Sequence, residues 1–231
     1  MLIEKNIVKG KFIKRPNRFK AHVLLNGEEL VVHVPNTGRC REILKPDSTV
    51  ILREENNPSR KTPYDLIAAY KGDMLINIDS HIPNKVVEEA LIAKKVEGLE
   101  EYDLVQKEKT FGNSRFDFKL TNTIDKKEYY LEVKGVTLEN DGIAMFPDAP
   151  TERGAKHLKE LVEVVNSGKG AGVLFLIQID NIESFRPNDE MDKAFGEALR
   201  YARNNGVDLY AYNSIVTENS ITLNKRIQLI L

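Results

Sequence analysis

The 231-residue chain has one cysteine, Cys40, and no tryptophan. A lone thiol excludes an internal disulfide and any cysteine-clustered zinc site. Long apolar runs are missing too: none approaches the ~18 residues a membrane helix requires. The first residues, Met1-Leu2-Ile3-Glu4-Lys5, lack the apolar block of a signal peptide. The expectation is a cytoplasmic protein with no membrane partner. Charge of one sign is also missing, since 34 basic residues face 35 acidic ones for a net charge of −1. Affinity for a polyanion must therefore come from a local patch. With 41% apolar and 30% charged residues, the composition is globular and excludes a disordered chain. The length suits one large domain or two modest ones.

The local patch exists. Residues 1–20 hold seven basic residues, Lys5, Lys9, Lys11, Lys14, Arg15, Arg18 and Lys20, against Glu4 alone, with Phe12 and Phe19 interleaved. Phosphates are attracted to such a segment and aromatic faces stack exposed bases. An edge strand kept soluble by lysines has the same composition.

The first eighty residues or so read as strands: Ile7 to Ile13, Phe19 to Leu25, Glu29 to Val34, Thr49 to Leu52, Leu66 to Tyr70 and Met74 to Ile78. Asn26-Gly27 between two β-rich runs is the strongest short hairpin signal, because both residues must accept positive φ. Lys71-Gly72-Asp73 marks another turn, and Gly38 to Leu44 suits one helical turn. About five strands with a short helix suggest a small OB-type barrel.

The texture then changes. Pro83 opens a helix that runs to about Glu97 and stops at Gly98, following the usual placement of proline and glycine. Strands follow at about Leu104 to Phe111, Arg115 to Leu120 and Tyr129 to Leu138. A second helix runs from Thr151 to Gly168, with Ala155, Leu158, Leu161, Val162 and Val165 at a 3.6-residue period. Gly172 to Ile179 is nearly all apolar, as for a strand buried on both faces. A third helix spans about Glu190 to Asn204, and strands at Val207 to Tyr212 and Ile221 to Ile230 end the chain. The domains are expected at 1–82 and 83–231.

No P-loop is present. Gly168-Lys169-Gly170-Ala171-Gly172 follows a helix and precedes a strand, the reverse of a phosphate cradle. The four histidines form no metal-ligand pair on one helix. The informative stretch is Ser114-Arg115-Phe116-Asp117-Phe118 followed by Tyr130-Leu131-Glu132-Val133-Lys134. Alternation puts Arg115, Asp117 and Lys119 on one strand face, and Glu132 with Lys134 on one face of the next. If the two strands form a hairpin whose turn lies near Ile124 and Asp125, Phe118 pairs with Leu131, Asp117 with Glu132 and Arg115 with Lys134. Two opposed carboxylates repel unless neutralised. A magnesium ion does this with oxygen ligands, and Lys134 stands where it can act on a water or on phosphorus. The result is a D…E-x-K arrangement for phosphodiester chemistry; a surface hairpin of neighbouring charges is the plainer reading.

On the first helix, Glu89 has Val86, Ile92, Ala93 and Val96 as helical neighbours. A carboxylate inside an apolar stripe calls for a partner, so Glu89 is a candidate to enter the site. In Phe146-Pro147-Asp148-Ala149-Pro150-Thr151-Glu152-Arg153, Asp148 or Thr151 is placed to cap the second helix. Arg153 and His157 share a face at i, i+4. Thr151, Arg153 and His157 at a helix N-terminus suit a phosphate.

Pro35-Asn36-Thr37-Gly38, Ser114 to Phe118, Leu131 to Leu138, and Phe146 to Gly154 with Lys156-His157-Leu158 together resemble the sugar fermentation stimulation protein family. The similarity runs the full length, departing at Cys40, where a methionine is expected. It implies an α+β protein of two domains: an N-terminal OB-like β-barrel, then an α/β PD-(D/E)XK nuclease-like domain with a mixed central sheet. It further implies Asp117, Glu132 and Lys134 as the nuclease-like set, with Glu89 as the helix carboxylate. Asp117 and Glu132 are the expected metal ligands, for Mg²⁺ or Mn²⁺. Lys11, Lys14, Arg15, Arg18, Arg115, Thr151, Arg153 and His157 are the expected DNA or phosphate contacts. The family description implies a largely sequence-independent DNA-binding protein connected with sugar-utilisation genes. The intact acidic set points instead to an active Mg²⁺-dependent nuclease. A sugar-binding barrel is a weaker third reading, lacking a tryptophan to stack on a ring. Oligomeric state is left open, a homodimer included.

Overall fold

The computed structural model describes residues 1–231. The N-terminal part is built from β1 (Ile7–Asn17), β2 (Lys20–Leu25), β3 (Glu28–His33), β4 (Thr49–Glu54), β5 (Tyr64–Lys71) and β6 (Met74–Asn77). Strand order is β3-β2-β1-β4-β5-β6, and a parallel β3–β5 pairing, His33 against Asp65, closes the barrel. That closure is the OB topology. Asn26 and Gly27 take φ of 52° and 87°, which the β2–β3 turn demands. The expected helical turn between β3 and β4 is a tight turn in which Cys40 O accepts from the amides of Ile43 and Leu44.

The C-terminal part begins with α1 (Ile82–Ile92), shorter than the proline and glycine signals predict. The helix stops early because Lys94 adopts φ 55°, and Gly98 with φ 85° closes a following turn. Next come β7 (Leu104–Phe111), β8 (Ser114–Thr121), β9 (Glu128–Val136), β10 (Leu138–Asn140), β11 (Ile143–Phe146), α2 (Glu152–Asn166), β12 (Gly170–Ile177), β13 (Ser184–Pro187), α3 (Lys193–Asn204), β14 (Asp208–Val216), β15 (Ile221–Arg226) and β16 (Gln228–Leu229). The main sheet is ordered β15-β14-β12-β9-β8-β7, with β9, β12 and β14 parallel and the flanking strands antiparallel. Strand β12 is buried on both faces: Val173 and Phe175 pack with α2 and α3, Leu174 and Leu176 with α1. Thr151 and Asp192 cap α2 and α3, each accepting from the amide three residues on at 3.0 Å.

Four short strands form a second sheet, β10-β11-β13-β16, that the sequence reading did not anticipate. Its hairpin turn, Asp141-Gly142 with φ 51° and 80°, carries a recognisable sequence signal. The expected final strand is split because Ile227 turns the chain from β15 into this sheet as β16.

The two parts share one core. Phe12, Val23, Leu52 and Ile76 of the barrel lie in the same buried cluster as Ile177 and Phe185. Polar contacts fix the junction. Gln178, 2% exposed, donates through Nε2 to Asn77 O at 3.0 Å and Asn77 Oδ1 at 2.9 Å. Ser80 donates through its amide and hydroxyl to Pro35 O, and Asn36 Nδ2 donates to Ile78 O.

Candidate active site and basic cleft

The β8–β9 ladder follows the expected register, Phe118 against Leu131 through Thr121 against Glu128. It ends there. The expected pairs Asp117–Glu132 and Arg115–Lys134 do not form, because the strands part beyond Phe118. In the gap the Asp117 carboxylate replaces a backbone carbonyl: its Oδ2 accepts from Val133 N at 2.7 Å and its Oδ1 from Asn84 Nδ2 at 2.7 Å. Arg115 is exposed and sits 3.5 Å from Glu108, away from this gap.

Glu132 lies on the opposite side of β9 from Leu131 and Val133, which pack on α1. It is 4% exposed. Its Oε1 accepts from Lys134 Nζ at 2.5 Å and from His157 Nδ1 at 2.6 Å. His157 Nε2 accepts from Arg153 Nε at 3.4 Å, which assigns the ring proton to Nδ1 and directs it at Glu132. Phe116 meets the imidazole edge-on at 6.0 Å. The second carboxylate oxygen, Glu132 Oε2, is buried with no partner at all.

The two acids are held in different electrostatic states. Burial, then the nearby Glu132 charge, pushes the Asp117 carboxyl above its ordinary value despite the Val133 and Asn84 donors. Burial also acts to raise Glu132, but hydrogen bonds and charge from His157 and Lys134 outweigh it and hold Glu132 below its ordinary value. No group of three or more His, Cys, Asp or Glu side chains in the chain has metal-holding geometry. A cation here would have these two carboxylates and otherwise water or phosphate oxygen, the coordination Mg²⁺ favours. The orphaned Oε2 fits such an ion, since a buried anionic oxygen without a donor is costly.

Glu89 does not enter the site. It is exposed, and its carboxylate lies 2.8 Å from the Met1 amino group. The apolar positions around it sit at the end of α1, so the side chain leaves the stripe sideways into solvent. The helix residue that reaches Asp117 is Asn84, five residues earlier, on the polar face with Glu88, whose carboxylate pairs with Lys107 at 2.9 Å. Helical spacing of Asn84 and Glu88 was the available signal.

Thr151 spends its hydroxyl on the helix cap, and His157 turns inward to Glu132, while Arg153 stays exposed and reaches only His157 Nε2. Gly135 follows Lys134 for a steric reason. A Cβ there would come within 2.5 Å of Gln178 Oε1 and 2.6 Å of Pro83 Cγ. The proline ring cannot yield, so Gly135→Ala should push the start of α1, and Asn84 with it, off Asp117. Overpacking of this kind costs about 1–3 kcal/mol, and a denaturant midpoint equal to wild type would disprove the close packing.

The basic N-terminal segment divides once folded. Lys5 pairs with Glu55 and Lys9 with Glu218. Lys11 Nζ donates to Thr49 Oγ1 at 3.0 Å. Arg15 is a staple, not a free phosphate contact. Its guanidinium donates to the carbonyls of Asn36, Gly38, Arg39 and Arg18, at 2.6 to 2.9 Å. A bulge in the β1–β2 ladder between Lys14 and Asn17 re-aims the chain for this role. The staple joins the β1–β2 tip to the loop after β3, and between them opens a cleft of about 490 Å³. Lys14, Arg18, Arg39 and Arg41 line it. All four are exposed. Arg39 and Arg41 escaped the sequence reading because only the fold brings them beside residues 14–18. The same loop packs on the segment before α2: a Cβ on Gly38 would meet Asp148 Oδ2 at 2.5 Å.

An OB barrel joined to a restriction-endonuclease-like domain, with an aspartate, a Glu-x-Lys pair and an inward histidine where two strands part, defines a nuclease-like two-domain class. Residues 13–78 match the family model described as the SfsA N-terminal OB domain, and residues 81–220 the sugar fermentation stimulation protein RE domain. The chain belongs to the sugar fermentation stimulation protein family. It is 69% identical over 222 residues to a sugar fermentation stimulation protein homolog of Clostridium acetobutylicum, covering 96% of each chain. A homolog from Clostridium botulinum (strain Kyoto / Type A2) is 65% identical over 229 residues, covering 99% of each. Among solved structures, Pyrococcus furiosus SfsA in complex with Ca²⁺ superposes over the whole of both chains with a TM-score of 0.89 at 25% identity. No helix of the chain is long and apolar enough to cross a membrane.

Proposed function

We propose that this protein binds DNA, largely without regard to sequence, through the barrel's basic cleft, and holds one Mg²⁺ between Asp117 and Glu132 of the nuclease-like domain. The observation that carries the metal half is Glu132 Oε2, a buried carboxylate oxygen left without a donor while its twin accepts two. The related Pyrococcus furiosus protein was solved with Ca²⁺, another hard cation that takes oxygen ligands. Regulation of sugar-utilisation genes is the role the family's description suggests for such binding.

Hydrolysis of a phosphodiester bond is the second reading, and Lys134 favours it. A bound Mg²⁺ supplies Lewis-acid polarisation of a phosphoryl oxygen. The chain's own residues do the rest of the positioning. His157 fixes the Glu132 carboxylate from one side, Asn84 and Val133 N fix Asp117 from the other, and Lys134 presents an ammonium to the charge that develops on phosphorus.

The binding half has a direct test. Changing Lys14, Arg18, Arg39 and Arg41 to alanine together removes the cleft's free cations. Each phosphate contact contributes about 0.9 to the slope of log affinity against log salt on duplex DNA. The quadruple variant should show a slope lower by about 3.6, measured by fluorescence anisotropy across a salt series. An unchanged slope would move the DNA to another face.

A further inference from the structure

Among the nine phenylalanines, Phe19 alone is exposed, at 57%. Phe12, its companion in the sequence pattern, is 4% exposed and belongs to the core. A large apolar ring held in water at a hairpin tip has no packing role. It directly follows Arg18, which lines the cleft together with Lys14, Arg39 and Arg41, while Phe19 itself lies just outside the cleft lining. Its backbone is not loose. Asn17 Oδ1 accepts from the amides of Phe19 and Lys20, at 2.9 and 3.1 Å, and Phe19 O accepts from Val34 N. Arg15 ties the adjoining Arg18 carbonyl to the opposite rim. The ring is therefore presented from a fixed platform, which lowers the ordering cost of using it.

We infer that the cleft takes single-stranded DNA, with Phe19 stacked on an unpaired base and the four cations following the backbone. The inference rests on the reading of this cleft as a DNA-binding surface and names the form of DNA it takes. In a duplex both faces of every internal base are covered by neighbouring pairs, so an aromatic ring at a hairpin tip meets only sugar and phosphate. In a single strand each base offers a free face, and stacking on an aromatic ring is tolerant of sequence. The cleft's volume of about 490 Å³ is on the scale of a small-molecule site, suited to one or two nucleotides and not to the width of a duplex.

The test compares a labelled oligothymidine of about fifteen nucleotides, within the span one such barrel covers, with a duplex of equal length. Binding is followed by anisotropy in EDTA, so that no metal-dependent cutting intervenes. Wild type should bind the single strand more tightly. Phe19→Ala should weaken that binding by about tenfold or more, the loss of one stacked base, and leave the duplex within about twofold. Phe19→Tyr should restore it, and an abasic oligomer should not distinguish wild type from Phe19→Ala. Because Phe19 is outside the core, thermal midpoints of the variants should match wild type. Equal weakening on both DNA forms, or none on either, overturns the stacking inference. Wild-type failure to bind either form at low salt would overturn the DNA-binding reading itself.

Discussion

Glu132→Ala is expected to lower Mg²⁺ affinity by at least about tenfold, since even partners once removed from a metal carry that much. Lys134→Ala should leave the affinity unchanged or raise it. The reason is the division of labour around one carboxylate. Oε1 is occupied by Lys134 and His157, and Oε2 is bare and buried. Removing the carboxylate removes an anionic ligand, whereas removing the ammonium removes a competitor for the same carboxylate and a like charge beside the cation. Isothermal titration with Mg²⁺ separates the two variants. On the hydrolytic reading, a plasmid assay sharpens the contrast: Lys134→Ala should fall by a factor of about 100 to 1000, the usual loss of one preorganised charge-stabilising donor. Equal Mg²⁺ affinity in wild type and Glu132→Ala would defeat the metal site. Robust cutting by Lys134→Ala would defeat the role given to the lysine.

The second large effect concerns the barrel's closing seam. Asp65 is 4% exposed and receives Arg53 at 2.8 Å, Arg60, and His33 at 2.9 Å, while Arg53 also reaches Glu55 at 2.7 Å and Asp79 at 3.1 Å. Asp65→Ala leaves Arg60 and His33 without this counter-charge at the one point where β3 meets β5. Breaking a buried pair from one side costs about 3–5 kcal/mol. Arg53 keeps two other carboxylates, so a loss of about 3 kcal/mol is expected, read from the urea midpoint. Burial acts to raise the Asp65 and Glu55 carboxyls. The arginines, with His33 on Asp65 and Lys5 on Glu55, outweigh it and hold both groups below their ordinary values. A depressed folded value means the stabilisation is full above the unfolded value, about 4, and is lost as pH falls through the folded one. Wild type should therefore lose stability in acid more steeply than Asp65→Ala. Parallel pH profiles for the two proteins would remove the seam from any account of acid lability.

Much of the domain plan was legible because it rests on short-range rules. Asn26-Gly27 declares a hairpin from two residues, and the apolar run of β12 declares a central strand. The β8–β9 register could be worked out because a hairpin obeys a fixed sum of paired positions once its turn is located. That sum was right from Phe118 to Thr121 and failed at Asp117, because pairing sums assume a continuous ladder. The strands part at Asp117, where its side chain takes the Val133 amide, and nothing local announces that.

Charges were the least legible feature. Seven cations in twenty residues looked alike in sequence, yet Lys9 is neutralised by Glu218, Lys5 by Glu55, and Arg15 is consumed by carbonyls across the cleft. Those partners come from distant parts of the chain, and pairing of that kind is a property of tertiary position. The same holds for Glu89, drawn to the chain's own amino group.

The sequence by itself determined the order of the strands and helices of the barrel and the main sheet and the change of texture between the two parts, and it singled out Asp117, Glu132 and Lys134 as candidate site residues. Periodicity, turn chemistry and residue type are written in neighbouring positions. Only the tertiary structure decided which cations stay free, that Asn84 and not Glu89 reaches the acidic pair, and that His157 supports Glu132 from α2. Each of those depends on which surfaces meet when α1 and α2 pack on opposite faces of one sheet, and a chain position carries no record of the face its distant partner will present.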